Sequence, residues 1–136
     1  MGFTKVSDTN NARPEGRNCV LIYGYNEEAL CELDRVRVRT GIDEIVTIET
    51  NQLGNTLNAI LTNEMIEKTY EKVIADPIMV FHAVSDVELN TFLNEYRTLK
   101  LKKALVAVVT KTSIKWRFGD LAVELSRERR AMKNRK

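Results

Sequence analysis

The chain has 136 residues, of which 43% are hydrophobic and 29% are charged, with a formal net charge of +2. This composition is typical of one globular domain that buries a core without disulfide or metal support. No apolar run approaches the roughly 20 residues of a membrane-spanning helix. The first residues also lack the apolar region of a signal peptide, so we expect a cytoplasmic protein that does not enter a membrane.

The first half of the chain begins with a polar stretch, residues 1–17, which contains Pro14 and Gly16. We expect this stretch to be a flexible, loosely attached arm. Order begins with NCVLIYGY, whose β-branched and aromatic residues predict a buried strand. Asn26 is a favourable N-cap for the following helix, and Gly41 is the expected stop, because glycine adopts the left-handed conformation easily.

EIVTIET predicts a second strand with core residues from Ile45 onward. The next segment, residues 53–75, has apolar residues at helical spacing, which predicts one long helix or two. Asp76 and Pro77 end this segment, because proline biases the preceding residue away from the helical region. Four residues are expected to share the buried side of the helix: Leu57, Ile60, Leu61 and Met65.

The second half starts with IMVFHAV, a predicted strand. Ser85 and Glu88 form the S-x-x-E pattern of a capping box at the start of the next helix. ALVAVVT is continuous enough in apolar residues to predict a strand buried on both faces. The loop KTSIKW then leads to a last helix with an apolar face.

The two halves resemble each other along their length. Residues 20–42 align on residues 79–101 without a gap at a constant offset of 59, and the caps Asn26 and Ser85 coincide. Further along, three residues fall on apolar or threonine counterparts: Val46 on Val106, Ile48 on Val108 and Thr50 on Thr110. After a four-residue insertion in the second copy, Leu57 and Leu61 fall on Leu121 and Leu125. We interpret the chain as an internal duplication.

Each copy reads strand-helix-strand-helix, and a strand-helix-strand unit in one sheet is normally parallel and right-handed. We therefore predict an α+β domain over residues 18–136, made of the repeats 18–76 and 77–136. Its four-stranded sheet would have a pseudo-twofold axis and antiparallel central strands. A sheet covered by helices on one face, ferredoxin-like in character, is the first expectation, and a doubly covered α/β sheet is the alternative.

The loop after the last strand resembles a known family signature. The run KKALVAVVTKTSIKW, followed by the helix FGDLAVELSRER, resembles the bacterial Domain of Unknown Function 3783 family, in which a strand ending K-A-x-V-T-x-T-N precedes a tryptophan and an amphipathic helix. The resemblance covers residues 77 to about 132; it implies the fold and a bacterial cytoplasmic setting, and no activity. Lys111 stands where proline is expected and Ser113 where asparagine is usual. The matching positions are Lys103, Ala104, Val109, Thr110, Thr112 and Trp116.

Cysteine and histidine give little indication of chemistry. Cys19 and Cys31 lack metal or redox spacing, and we expect both to be small buried hydrophobic residues. His82 is the only histidine, and we expect it to be a packed strand residue; general acid–base work with Asp86 or Glu88 is the alternative. No glycine pattern for phosphate or acidic loop for a metal occurs, so neither cofactor nor metal is expected.

The loop before the last helix is a candidate ligand site. Hydroxyls and backbone N–H groups at the start of a helix can hold an anion. Ordinary helix capping by Thr112 or Ser113 is the alternative explanation. The residues of this candidate anion site are Thr110, Thr112, Ser113 and Trp116.

Charge is distributed unevenly along the chain. Residues 97–136 contain thirteen Lys and Arg against three acidic residues, whereas residues 1–96 contain eight against sixteen. A basic run at the end of a helix can neutralise phosphates and bind nucleic acid without sequence preference. A solvated helix end, or head-to-tail contact with the acidic half of a second copy, are the alternatives. The candidate nucleic-acid residues are Arg127, Arg129, Arg130, Lys133, Arg135 and Lys136.

Three functional classes follow from these patterns. The first is a non-enzymatic binding or regulatory module, an internal pseudo-dimer whose sheet face, edge or pseudo-axis groove receives a protein or small molecule. The alternative is a nucleic-acid-associated protein that uses the basic C-terminal helix. An enzyme comes third, because no acid, base and nucleophile converge in the sequence. A homodimer is compatible with each class.

Overall fold

The structure, a computed structural model, describes residues 12–134. One four-stranded sheet has the strand order β2-β1-β3-β4. β1 and β2 are parallel, β3 and β4 are parallel, and the central strands β1 and β3 are antiparallel. No described helix is both long and apolar enough to span a bilayer. In chain order the elements are β1 (Cys19–Tyr23), α1 (Glu27–Thr40), β2 (Glu44–Thr47), a 3-10 turn (Thr50–Gln52), α2 (Leu57–Leu61), β3 (Ile78–His82), α3 (Asp86–Arg97), β4 (Leu105–Val108), a second 3-10 turn (Ser113–Lys115) and α4 (Phe118–Asn134).

The central strand pair reveals an internal pseudo-twofold axis. Val20 pairs with Phe81, and Ile22 pairs with Met79. Between them Leu21 pairs with Val80, which is its own counterpart at the offset of 59. Since equivalent residues meet only on the axis, the axis passes between Leu21 and Val80. The predicted α+β class, four-stranded sheet and antiparallel centre are confirmed.

A second pair of contacts lies on the same axis. The N–H of Leu57 donates to the carbonyl of Trp116 at 2.9 Å, and the N–H of Phe118 donates to the carbonyl of Asn55 at 2.8 Å. Each bond becomes the other when the two halves are exchanged. The starts of α2 and α4 are therefore held together as symmetrically as the central strands.

The predicted alignment of the outer strands is wrong by one residue. Val20 pairs with Ile45, and its counterpart Met79 pairs with Val106. Ile45, rather than Val46, is thus the equivalent of Val106. A one-residue shift moves every side chain to the other face of a sheet. In strands with apolar residues on both faces, the sequence pattern alone does not reveal such a slip.

The predicted four-residue insertion before the last helix is also wrong. The reciprocal bonds make Leu57 the counterpart of Phe118, at the same 61-residue spacing that relates Ile45 to Val106. Leucine spacing within α4 allowed a match one turn too late, because residues three and four apart share a helix face.

Helices cover both faces of the sheet. The doubly covered arrangement, given as the alternative, is the observed one, and the one-face covering expected of a ferredoxin-like sheet is wrong. Strand residues alternate between two clusters, as the period of two requires. On one face, α1 and α3 cover the sheet: Leu33, Val36 and Phe92 pack on Val20, Ile22, Met79 and Phe81. On the other face, α2 and α4 cover the sheet: Leu57, Ile60, Phe118 and Leu121 pack on Cys19, Leu21, Ile78 and Val80.

The helix caps predicted at Asn26, Gly41 and Ser85 are confirmed. Asn26 accepts the N–H of Ala29 at 2.9 Å, and Gly41 ends α1 with φ of 86°. Ser85 and Glu88 form the predicted capping box: the hydroxyl of Ser85 accepts the N–H of Glu88 at 3.1 Å, and the Glu88 carboxylate accepts the N–H of Ser85 at 2.9 Å. These bonds satisfy backbone donors that a helix start leaves unpaired.

The long helix predicted over residues 53–75 is wrong. α2 ends at Leu61. The chain then follows an irregular path that returns to the start of the segment 53–75. Asn55 fixes this path, since its side chain donates to the carbonyl of Ile66 at 2.7 Å and accepts the N–H of Ile66 at 3.1 Å. A side chain that replaces backbone partners in this way competes with helix formation. Leu57, Ile60 and Leu61 are nevertheless buried as expected.

The outer strands are less buried than predicted. β4 lies at an edge, and the side chains of Val106 and Val108 are 36% and 47% exposed. The prediction that β4 is buried on both faces is therefore wrong. Cys31 is exposed, contrary to expectation, whereas Cys19 is buried, and burial raises the pKa of its thiol to about 11.

Residues 12–17 lie against the domain through two arginines. Arg13 contacts Glu88 at 2.6 Å and Asp43 at 3.1 Å. Arg17 contacts Glu44 at 2.6 Å and donates to the last carbonyls of α2. The part of the predicted arm formed by residues 1–11 lies outside the described residues.

Candidate functional site

A groove runs between the second half of α4 and the irregular segment 72–76. α4 reaches it because only its first turns, with Phe118, Leu121 and Ala122, are needed to cover the sheet. The groove encloses about 570 Å³. Its lining includes six cationic side chains, which define the basic groove: Lys72, Lys102, Arg127, Arg129, Arg130 and Lys133.

The spacing of residues on α4 explains why the cations converge. Arg127 and Arg130 are three residues apart, and Arg129 and Lys133 are four apart, so each pair lies on one side of the helix. Lys72 and Lys102 come from the opposite wall. The basic groove is therefore assembled from three separate stretches of the chain.

Asp76 is the one acidic residue in the groove lining. Its carboxylate accepts the hydroxyl of Ser126 at 3.3 Å and lies 3.6 Å from Arg129 and 3.8 Å from Lys102. Glu124, outside the lining, pairs with Arg127 at 3.0 Å, so two carboxylates balance part of the six cationic charges. The groove keeps a large excess of positive charge, which favours an anionic ligand.

A smaller hollow of about 320 Å³ adjoins the basic groove and shares Lys72, Val123 and Arg127 with it. Trp116 forms part of its wall, and the Trp116 side chain is 36% exposed. Two cations, Lys72 and Arg127, and two carboxylates, Asp120 and Glu124, also line it. We call this space the aromatic hollow.

Tyr70, the second aromatic residue of the hollow, is fixed in place. Its hydroxyl donates to Asp120 at 2.7 Å, and the guanidinium of Arg117 lies 4.8 Å from its ring centre. Burial and the bond to Asp120 raise the pKa of Tyr70 to about 12. Tyr70 is therefore a neutral, rigid wall of the aromatic hollow at physiological pH.

Arg117 is engaged by acidic neighbours and is not a free cation of the site. It contacts Asp120 at 3.0 Å and Glu71 at 3.1 Å. Its hydrogen bonds hold the pKa values of both carboxyl groups below their ordinary range. This cluster orients the loop that carries Trp116.

The predicted site residues fall into two groups. Arg127, Arg129, Arg130 and Lys133 line the basic groove, whereas Arg135 and Lys136 lie outside the described residues. Trp116 joins Arg127 in the aromatic hollow rather than a threonine cradle.

The threonine loop itself is closed by internal hydrogen bonds. The N–H of Thr110 donates to the hydroxyl of Ser113 at 2.9 Å, and the N–H of Ser113 donates to the hydroxyl of Thr110 at 3.0 Å. Thr112 makes no side-chain cap bond. The backbone donors at these two positions are thus used within the loop.

Sequence reasoning missed Tyr70, Lys72 and Lys102. Tyr70 and Lys72 lie in the segment that was predicted to be helical, so their direction could not be anticipated. Lys102 precedes β4, and only the fold brings it to α4. The sequence offered one signal for Lys72 and Lys102: both are cationic, like the residues of the basic helix.

His82 has a structural partner. Its Nδ1 hydrogen-bonds with the carbonyl oxygen of Arg17 at 2.7 Å. Glu88, the candidate acid–base partner, is bound by Arg13 and by the N–H of Ser85. His82 thus ties residues 16–18 to the end of β3. Among the described residues, no three His, Cys, Asp or Glu side chains converge as a metal site would require.

These features define a small α+β protein with two equivalent halves and a basic groove beside an exposed indole. Residues 77–132 match the family described as Domain of unknown function (DUF3783). The match confirms the resemblance seen in the strand, loop and tryptophan of that half. It spans nearly the whole second repeat. No curated protein and no solved structure gives a match.

Proposed function

We propose that the protein is a non-enzymatic binding module that holds single-stranded nucleic acid along α4. Phosphates lie in the basic groove, and a base stacks on Trp116 in the aromatic hollow. The observation that carries this proposal is the convergence of six cations and an exposed indole in two connected spaces that share Arg127. Cationic grooves with aromatic stacking platforms are the usual means of binding single strands.

The indole distinguishes a single strand from a duplex. A base can stack on a side chain only when it is unpaired, whereas a duplex presents its phosphates and keeps its bases stacked. The groove cations alone would accept both. Trp116 therefore supports preference for an unpaired strand, without selecting a base sequence.

Two of the surfaces considered for the first functional class, the sheet faces and the pseudo-axis, give it less support. Both faces of the sheet are covered by helices. The pseudo-axis is occupied by the Leu21–Val80 pair and by the bonds between α2 and α4, so these contacts leave little room for a groove there. We regard the two halves as products of a duplication that fused a former homodimer, which explains the symmetry but does not itself supply a ligand site.

The first experiment uses the single tryptophan of the chain. Because Trp116 lies in the proposed site, its fluorescence reports stacking directly. Oligo-uridine and oligo-thymidine should quench this fluorescence, and a hairpin duplex should quench it less. The logarithm of the association constant should fall linearly with the logarithm of salt concentration, by about 0.7 for each neutralised phosphate.

Charge-matched variants locate the binding surface. Arg130→Gln removes a groove cation and should lower affinity and reduce the salt slope by about 0.7. Arg35→Gln removes the same charge from an exposed position on α1, across the sheet, and should leave both unchanged. Trp116→Leu should weaken binding about tenfold, in line with the loss of one stacked base.

Three results would overturn the proposal. They are no quenching at low salt, equal effects of Arg130→Gln and Arg35→Gln, and quenching by the duplex as strong as by the single strands. Anisotropy of labelled oligonucleotides provides a second readout for the tryptophan variant.

A further inference from the structure

β4 is an edge strand of the sheet formed by residues 12–134. The N–H groups of Leu105 and Val109 point inward, to the carbonyls of Pro77 and Phe81 at 2.9 Å each. Since alternate residues of a strand face alternate sides, the N–H and C=O groups of Val106 and Val108 point away from the sheet. This row of backbone groups is a template for one more strand.

An apolar hollow lies beside this edge, between β4 and α3. It encloses about 560 Å³ and is lined mainly by Leu93, Tyr96, Leu101, Ala104 and Val106. The hydroxyl of Tyr96 hydrogen-bonds with Tyr25 and with the carbonyl of Lys102, so its ring is held in place. The hollow is therefore a preformed space for an apolar side chain.

The rim of the hollow is positive. No Asp or Glu among the described residues lines the hollow. Arg97 and Lys103 line the hollow itself. An occupant of this edge must therefore bring negative charge to its flanks.

A second copy of the chain is a poor source of that charge. The opposite edge, β2, begins next to Asp43 and Glu44, but these carboxylates are paired within the molecule with Arg13 and Arg17. Their charge is largely neutralised. Charge complementarity thus favours a different protein as the source of the occupant.

We propose that β4 receives an extended segment of a partner protein as an additional strand. Apolar side chains on one face of this segment fill the hollow between β4 and α3, and acidic residues at its ends meet Arg97 and Lys103. Main-chain bonds to Val106 and Val108 hold it. This surface lies on the face of α3, across the sheet from the basic groove, and goes beyond nucleic-acid binding.

Lysines beside an edge strand also prevent unwanted pairing, and the experiment separates this role from docking. The probe is a labelled peptide in which valine and threonine alternate between acidic ends. Matched peptides carry basic ends, or a proline in the centre. Anisotropy should show binding of the acidic peptide alone, with shifts at the amides of Val106 and Val108 in an NMR titration.

Val108→Pro is the informative variant. It removes an outward N–H and leaves the bonds to β3 intact, which proline permits on an edge strand. The acidic peptide should bind at least about tenfold more weakly, because it loses a main-chain bond and the strand edge it lies on. Val108→Thr keeps the N–H and the branched shape and should bind normally. Lys103→Glu should weaken binding without changing the fold.

Circular dichroism and urea unfolding serve as the folding controls for these variants. Equal binding of acidic and basic peptides, or full binding by Val108→Pro, would overturn the docking surface. Failure of the acidic peptide to bind at low salt would also overturn it. Concentration-dependent self-association of the protein in sedimentation, without peptide binding, would overturn it as well.

Discussion

Two equivalent residues turn the central strands into their helices. Gly24 follows β1 with φ of 96°, and Ala83 follows β3 with φ of 55°. Each lies two residues before the N-cap of the next helix. The left-handed conformation thus occurs at the same position in both repeats, where one has glycine and the other alanine. Alanine is tolerated there because φ near 55° lies in the region open to side chains.

The pair predicts unequal effects of exchanging glycine and alanine. Gly24→Ala should destabilise the protein by about 1–2 kcal/mol, since φ of 96° is unfavourable for a side chain. The added Cβ would also lie 3.1 Å from the Cα of Pro77. Ala83→Gly relieves backbone strain in the folded protein but raises the conformational entropy of the unfolded chain. These effects oppose each other, so the free energy of unfolding should change by less than about 1 kcal/mol. Urea unfolding measures both, and equal losses would contradict the argument.

At the scale of elements, residues 12–17 act as a strap between strand and helix. Arg17 contacts the carboxylate of Glu44, the first residue of β2, and donates to the carbonyls of Ile60 and Leu61 at 3.1 and 3.0 Å. These carbonyls end α2, where a helix leaves its last carbonyls without regular partners. The Ile60 carbonyl also accepts the N–H of Asn63 at 3.3 Å. The Arg17 side chain therefore joins residues 12–17 to both β2 and α2.

This strap predicts a loss of stability in acid. The hydrogen bond from Arg17 lowers the pKa of Glu44 from its ordinary 4.5, more than partial burial raises it. A carboxyl group with a lowered folded pKa contributes its full stability above 4.5, and that contribution disappears as pH falls through the folded pKa. Glu44→Gln should melt at a lower temperature at pH 7 and lose less on acidification. Thermal melts from pH 7 to about 2.5 test this, and parallel curves for both proteins would contradict it.

Among the elements, features fixed by local contacts could be predicted from the sequence, and features fixed by distant contacts could not. Caps at Asn26, Gly41 and Ser85 were readable because the partner of each lies within one helical turn. The path of residues 62–77 was not, since it depends on Asn55 clamping Ile66 and on contacts with a distant helix. The register of β2 and β4 was missed for a similar reason: pairing across the sheet decides it, and apolar residues on both faces hide the alternation.

The candidate site was partly visible in the same way. The basic run on α4 is a local feature of the sequence, and its cations were predicted. The proximity of Trp116 to Arg127 depends on the reciprocal bonds that fix the start of α4 beside α2, a contact between the two halves of the chain. Lys72 joins them only because the predicted helix does not form.

At the scale of the whole molecule, the two halves complete each other. β1 and β3 are both central, so either half alone would expose a buried strand edge. Each core cluster contains strand residues from both halves. The family match to residues 77–132 covers nearly the whole second repeat. A single repeat would therefore need a second copy to fill the place of its missing half.

Residues 77–136 produced alone should accordingly form a twofold dimer. The open edge of β3 would pair with β3 of a second copy, with Val80 opposite Val80, because Leu21 and Val80 already pair on the pseudo-axis. An interface that repeats one surface on both subunits gives a closed dimer, whose melting temperature rises with concentration. Sedimentation equilibrium with circular dichroism measures both quantities. Val80→Asp, which places two carboxylates together on the axis, should prevent assembly. A folded monomer, or a half that stays unfolded at high concentration, would contradict the equivalence of the two halves on which this prediction depends.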